Sequence, residues 1–207
     1  MCCRYVLDVT EKDLAELVAE AADSPLLARF HQKQAGIFVR SGEERPMNIA
    51  PAIATSRRGE QAVFPMRWGF TLDGRRGPIV NARAETAAEK PSFRELWRHH
   101  RCILPASYYF EWQHLPAEDG RTTTGVKYAI QPRDSAVTWL CGLYRIENGL
   151  PVYVVLTRTP SDDVAHIHDR MPLILPKDCV GAWIDPDVRA EELLPRALTR
   201  LAAEKAG

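Results

Sequence analysis

Six short runs rich in β-branched, aromatic and other apolar residues, at 36–40, 61–71, 101–113, 126–131, 137–146 and 151–157, constrain the fold more than any other feature. Turn signals separate them at Arg58-Gly59, Asp73-Gly74, Asp119-Gly120 and Asn148-Gly149. The last of these is the clearest hairpin signal. Strands this numerous and this closely spaced predict an α+β fold: predominantly antiparallel sheets curled into a barrel-like core, with helices packed outside. Thr10 caps a predicted helix over 11–22, whose Leu14, Leu17, Val18 and Ala21 share one face. Ser92 and Glu95 form a capping box for a second helix that buries Phe93, Leu96 and Trp97 and turns Arg94, Arg98 and Arg101 outward. Ser161 caps a short predicted helix over 162–167, and from Lys177 the pattern is helical and acidic, ending in a polar tail.

No repeat, low-complexity segment or linker divides the 207 residues, so one domain over 1–207 is expected. Asp8, Glu11 and Asp13 stand where a signal peptide needs an apolar run, and no stretch approaches the roughly 20 apolar residues of a membrane span. A cytoplasmic, monomeric protein without membrane contact is the expectation. The five cysteines include no Cys-x-x-Cys pair and no spacing with histidine that would mark a zinc site, so no metal or other cofactor is expected. Cys102 and Cys141 lie in apolar runs and read as core. Net charge is zero, yet residues 40–101 hold twelve Arg and Lys against seven Asp and Glu. A local basic surface therefore remains open.

Four places hold residues suited to chemistry. Cys2 follows Met1, and a small second residue normally permits removal of the initiator, leaving an amine beside a thiol. Such a 1,2-aminothiol captures an aldehyde as a Schiff base and then closes a thiazolidine ring. Near neutral pH both nucleophiles are available, with reference pKa values of about 7.7–8.0 and 8.5. Asn81 and Arg83 follow the apolar pair Ile79-Val80 and point the same way from a strand end, where an arginine fork suits a phosphate. Glu111 interrupts the aromatic run Tyr108-Tyr109-Phe110-Glu111-Trp112, sharing a face with Tyr109. If it is partly desolvated, its raised pKa suits acid–base work. His168 opens His168-Asp169-Arg170-Met171-Pro172. Taken singly, each residue also reads as an ordinary terminus, strand end or surface histidine.

Taken together and in order, Met1-Cys2 with Arg4, Pro65-Met66-Arg67-Trp68-Gly69 with Asn81-Ala82-Arg83-Ala84-Glu85-Thr86, Arg101-Cys102 through Pro105 to Glu111-Trp112, and His168 to Pro172 resemble the SRAP family. These are the SOS-response-associated peptidase-like proteins that shield abasic sites. The resemblance spans residues 1 to about 185. It implies that Cys2 forms a thiazolidine with the ring-opened abasic deoxyribose in single-stranded DNA, with junctions between single strand and duplex as a further expected partner. It implies further that Asn81 and Arg83 hold the sugar and flanking phosphates, with Arg4 also on DNA. Glu111 would assist ring opening and proton transfer, with His168 as a second acid or base. Trp68 resembles an aromatic that supports a neighbouring base, and also reads as a core tryptophan. Crosslink reversal, a lyase-like step and self-processing as a peptidase belong to the same implication. Cys3 and Tyr108 depart from the family, which usually has glycine at both places. An N-terminal-nucleophile amidohydrolase, a cysteine peptidase acting through Cys2 and His168, and a barrel that binds nucleic acid noncovalently are the alternatives.

Overall fold

The apolar runs of the chain pair into thirteen strands among the residues that the computed structural model describes, 3–72, 74, 76–116 and 122–206. In chain order these are β1 (Arg4–Leu7), β2 (Gly42–Glu44), β3 (Ile49–Thr55), β4 (Gln61–Trp68), β5 (Asn81–Arg83), β6 (Arg101–Ala106), β7 (Tyr108–Pro116), β8 (Thr122–Pro132), β9 (Thr138–Glu147), β10 (Leu150–Arg158), β11 (Met171–Pro172), β12 (Ile174–Leu175) and β13 (Leu201–Lys205). The helices are α1 (Lys12–Asp23), α2 (Pro25–Gln32), α3 (Ala84–Ala87), α4 (Arg94–His99), α5 (Val180–Ile184) and α6 (Ala190–Leu193). Among the described residues no helix is long and apolar enough to cross a membrane.

Five strands close on themselves. β10 pairs with β4, β4 with β3, β3 with β6, β6 with β9, and β9 again with β10, so this ring has no free edge. Its pairings are antiparallel except the parallel contact of β10 with β4. The β9–β10 turn is the expected hairpin: Asn148 and Gly149 both take positive φ, 50° and 75°, as a type I′ turn requires. A second antiparallel sheet runs β13-β8-β7-β1-β2. The predicted strand over 101–113 breaks at the buried Ser107, where the chain leaves the barrel and enters this second sheet. Ser107 is held there from both sides, accepting the Asp8 amide on Oγ and the Thr138 hydroxyl on its carbonyl. The α+β barrel architecture read from the sequence is the observed one.

Several local expectations change. The tail is not helical: Leu201–Lys205 lies along β8 as an edge strand, because that strand's open hydrogen-bonding edge outweighs the helix propensity of Leu, Ala, Glu and Lys. Arg101 does not face solvent. It is buried, and its guanidinium donates to the carbonyls of Trp97, Arg98, Trp183, Asp185 and Val188, tying α4 and the α5 region to the barrel. The Ser92 capping box does not form, since α4 begins after Phe93 without a side-chain cap. Residues 162–167 make turns rather than a helix, and 36–40 contributes an isolated bridge, Phe38 to Ile49. Helix α2 was not foreseen, although Ser24 caps it and Pro25 opens it. Helix α1 appears as expected with Leu14, Val18 and Ala21 buried, capped by Glu11 rather than Thr10.

One buried acid leaves a signature on stability. Glu44 on β2 is fully buried, both its carboxyl oxygens lack a hydrogen-bond partner among the described residues, and desolvation pushes its carboxyl up to about 9. An unfolded glutamate titrates near 4.3, so between these values the folded chain holds a proton that the unfolded chain has released. Stability must then fall as pH rises across that window. Glu44→Gln, which mimics the neutral acid, is expected to gain on the wild type by up to about 1.4 kcal/mol per pH unit. Melting temperatures from pH 5 to 8 check this, and parallel curves for the two proteins would refute it.

Candidate functional site

Strand β7 carries Glu111 inward. The alternation foreseen from sequence holds, with Tyr109 and Glu111 on one face, but this face is the buried one: Tyr109 is 1% and Glu111 4% exposed. The opposite face is covered in its own way, for Lys127 sits 3.6 Å over the Phe110 ring and Tyr108 packs edge-on against Phe110. Burial raises the Glu111 carboxyl above the ordinary glutamate range, so it keeps a proton more readily than a surface carboxylate.

His168 reaches the same place from the loop before β11. Its Nε2 lies 3.9 Å from Glu111 Oε1, and the ring is also 4% exposed. Desolvation pushes His168 down to about 4, which leaves the imidazole neutral near pH 7. Nδ1 accepts the Arg170 amide at 3.0 Å, so the proton of the neutral ring is assigned to Nε2, on the side of Glu111. A buried acid and a neutral imidazole, side by side, can hold and move a proton.

Asn81 and Arg83 form β5 as expected, with Asn81 half-buried and Arg83 exposed. They pair in parallel with Val155 and Thr157 of β10, while β11 pairs with the other side of the same strand end, Thr157 against Pro172. An ion pair locks the two neighbours together. Arg170 donates to both oxygens of Glu85, at 2.9 and 2.7 Å, and also to the Thr157 carbonyl. This contact draws the Glu85 carboxyl down to about 2, favourable donors outweighing its burial. Sequence reasoning included Glu85 and Arg170 in its segments but gave neither a role. His114 was missed too; its ring centroid lies 3.8 Å from that of His168.

Strand β1 runs antiparallel to β7 with Arg4 opposite Phe110. Arg4 pairs with Glu43 at 2.9 Å and stands 5.2 Å over the Trp112 ring. Cys3 is half-buried, and its thiol is raised, first by burial and then by the Glu111 carboxylate, which makes it a poor nucleophile. Cys2 lies outside the described residues.

Trp68 is corrected. It is fully buried, stacked on Tyr153 at 5.9 Å, tilted against Tyr5 at 5.2 Å, and donates from Nε1 to the Val80 carbonyl. With both faces covered it offers no platform to a base, and its place is the core. Tyr5 and Tyr153 share a hydroxyl hydrogen bond of 2.8 Å beneath it.

Residues 1–206 match the family described as SOS response associated peptidase (SRAP). The chain belongs to that family. Similar SRAP-type relatives are "Abasic site processing protein YoaM" of Bacillus subtilis, 33% identical over 78% of this chain and 75% of the relative, and "Abasic site processing protein YedK" of Escherichia coli, 26% identical over 93% and 83%. "Abasic site processing protein HMCES" of Gallus gallus is 27% identical over 76% of this chain and 59% of its own. The fold is shared with a protein from Bacteroides thetaiotaomicron, at a TM-score of 0.73 and 22% identity, covering 100% of this chain and 92% of that one. It is also shared with a phage-related protein from Bordetella bronchiseptica, at 0.72 and 19%, covering 99% and 94%.

Proposed function

We propose that this SRAP protein processes abasic sites in DNA by capturing the lesion in single-stranded DNA as a covalent thiazolidine on Cys2. The observation that carries the reading is the buried Glu111–His168 pair, 3.9 Å apart, beside the start of β1 in a chain whose relatives are named for abasic sites. An abasic deoxyribose opens to an aldehyde. Once Met1 is removed, the α-amine of Cys2 adds to that carbon, water leaves, and the thiol adds to the resulting imine carbon to close the ring. One water is lost and no oxidant is needed. Glu111, held towards its protonated form, supplies the proton for the departing oxygen. The Glu111 carboxylate so formed takes back the proton that the thiol gives up, and His168, neutral, turns its Nε2 proton towards that carboxylate and steadies it. Single strands suit the chemistry because no base pair or stack must be broken to bring the sugar to a buried carboxyl.

The deciding experiment mixes purified protein with an oligonucleotide holding one abasic site and measures intact mass after denaturation. A species at the summed masses less one water is expected. Its absence would overturn the reading, and a noncovalent binder, an amidohydrolase or a peptidase acting through Cys2 and His168 gives none.

Binding that precedes bonding should be electrostatic at β5. Among the described residues Arg83 is exposed with no carboxylate partner, at the strand end where Arg170 and Glu85 fix the backbone. Arg83→Ala is expected to weaken noncovalent affinity for all sequences alike and to lower the salt slope by about 0.7 on a single strand. An unchanged slope would reduce Arg83 to a strand-end residue.

A further inference from the structure

We infer that Glu85 is a positioning residue for the Glu111–His168 pair: it anchors Arg170, so that the Arg170 amide fixes the His168 proton on Nε2. Resting on the proposed function, this names what keeps the imidazole a donor towards Glu111. Two groups meet the other ring nitrogen. The Arg170 amide lies 3.0 Å from Nδ1, and Asp169 Oδ1 lies 2.7 Å from the same atom. A neutral imidazole carries one proton, so these neighbours demand opposite tautomers. When the amide is served, Nδ1 accepts and the proton sits on Nε2, which lies 3.9 Å from Glu111 Oε1. When the carboxylate is served, Nδ1 carries the proton, and Nε2 turns a lone pair on Glu111.

Anchoring decides between them. The Asp169 side chain is 80% exposed, so water satisfies its carboxylate when it turns away. The Arg170 amide has no such freedom while its own side chain is tied down. That guanidinium donates to both Glu85 oxygens, at 2.9 and 2.7 Å, and to the Thr157 carbonyl at 2.7 Å. Glu85 is held in turn, accepting the Thr159 amide at 3.0 Å, and its carboxyl, drawn down to about 2, stays charged near neutrality. Helix α3 follows β5 directly, so Glu85 also ties the His168 loop to the strand of Asn81 and Arg83. The Nε2 proton matters when Glu111 gives up its own. The carboxylate that appears is buried, and a buried anion without a donor is costly.

The test reads the His168 tautomer by NMR in intact protein carrying isotope-labelled histidine, without DNA and at neutral pH. His168→Gln identifies its signals among the six histidines. The wild type is expected to hold the proton on Nε2, and Glu85→Ala to move most of it to Nδ1. Adding Asp169→Ala removes the competing carboxylate and should return the proton to Nε2. Glu85 and Asp169 are both exposed, so neither change threatens the core. Should Glu85→Ala fail to fold, Glu85→Gln, which keeps the shape and loses the charge, should shift the proton the same way. A wild-type tautomer in the Glu85 variant, a proton already on Nδ1 in the wild type, or a double variant that stays on Nδ1 would each overturn the inference. Decay of preformed adduct gives the second readout. Glu85→Ala should slow it about 10- to 100-fold, the worth of one hydrogen bond to a charged group. In a Glu111→Gln background the same change should add nothing. A shifted tautomer with unchanged decay, or full additivity with Glu111→Gln, would deny Glu85 this role in the reaction. If the wild type formed no adduct at all, the proposed function would fall while the tautomers still decided what Glu85 positions.

Discussion

A protein that keeps Met1 is expected to form no stable adduct with abasic DNA, a loss of the whole signal rather than a slowing. Ring closure needs an amine and a thiol on the same residue, and with Met1 in place the Cys2 nitrogen is an amide. The amine of Met1 can still form an imine, but no sulfur stands beside it to close the ring, and the imine returns to aldehyde on denaturation. Cys3 offers no rescue, since its nitrogen lies in a peptide bond and its thiol is raised by burial. Cys2→Ser separates the two halves of the requirement: it leaves the amine, so a borohydride-reducible link is expected where the wild type gives a link that needs no reductant. Intact mass before and after reduction distinguishes these results. A stable, unreduced adduct from Met1-retaining protein would exclude the aminothiol mechanism.

Glu111→Gln is expected to trap the adduct rather than prevent it. Forward closure by an aminothiol proceeds without help once the sugar is open, so its loss in the variant is modest. Reversal is different, because the ring must be protonated and reopened against an intramolecular nucleophile that is ideally placed to close it again. A positioned acid contributes about 100- to 10,000-fold to such a step. Glu111 suits it because burial raises its carboxyl above the ordinary glutamate range, and Gln keeps the shape of the neutral acid without the proton. The measurement is decay of preformed adduct in excess unlabelled abasic oligonucleotide. Decay at the wild-type rate would make Glu111 a structural residue.

Much of the fold was legible because barrel strands announce themselves by apolar runs between turn residues, and Asn148-Gly149 fixed one hairpin outright. Strand β3 was not, since Ile49–Thr55 is rich in alanine and contains Pro51, residues that a strand usually disfavours. It is a strand because the closed ring pairs both its edges, with Pro51 set opposite Pro65. At the site, alternation grouped Tyr109 with Glu111 but could not say which side faced inward, because the other side is aromatic as well. Cations from β1 and β8 cover that side, a fact of tertiary structure. Trp68 misled for a related reason, as a large aromatic looks the same in sequence whether it stacks on a base or on Tyr153. The Glu85–Arg170 pair spans 85 residues, and no local pattern joins such partners.

The strand β10 has a consequence for how the molecule is made. It borders β4 and β9 in the ring and also holds β5 and β11, so chain from Gln61 to Pro172 must be present before the strand end that carries both Arg83 and the His168 loop is complete. Pairings of such long range form late in folding, because the entropy of closing large loops is lost before any contact repays it. Residue 2, by contrast, is synthesised first. On the proposed mechanism a nascent chain whose Met1 has been removed carries its aminothiol well before Glu111, His168 and Arg83 can be assembled, and in that interval it has only the generic reactivity of any N-terminal cysteine. The proposed selectivity for a lesion would then be acquired late in biosynthesis, and small cellular aldehydes would have their best opportunity to cap the residue while the ring of strands is still open.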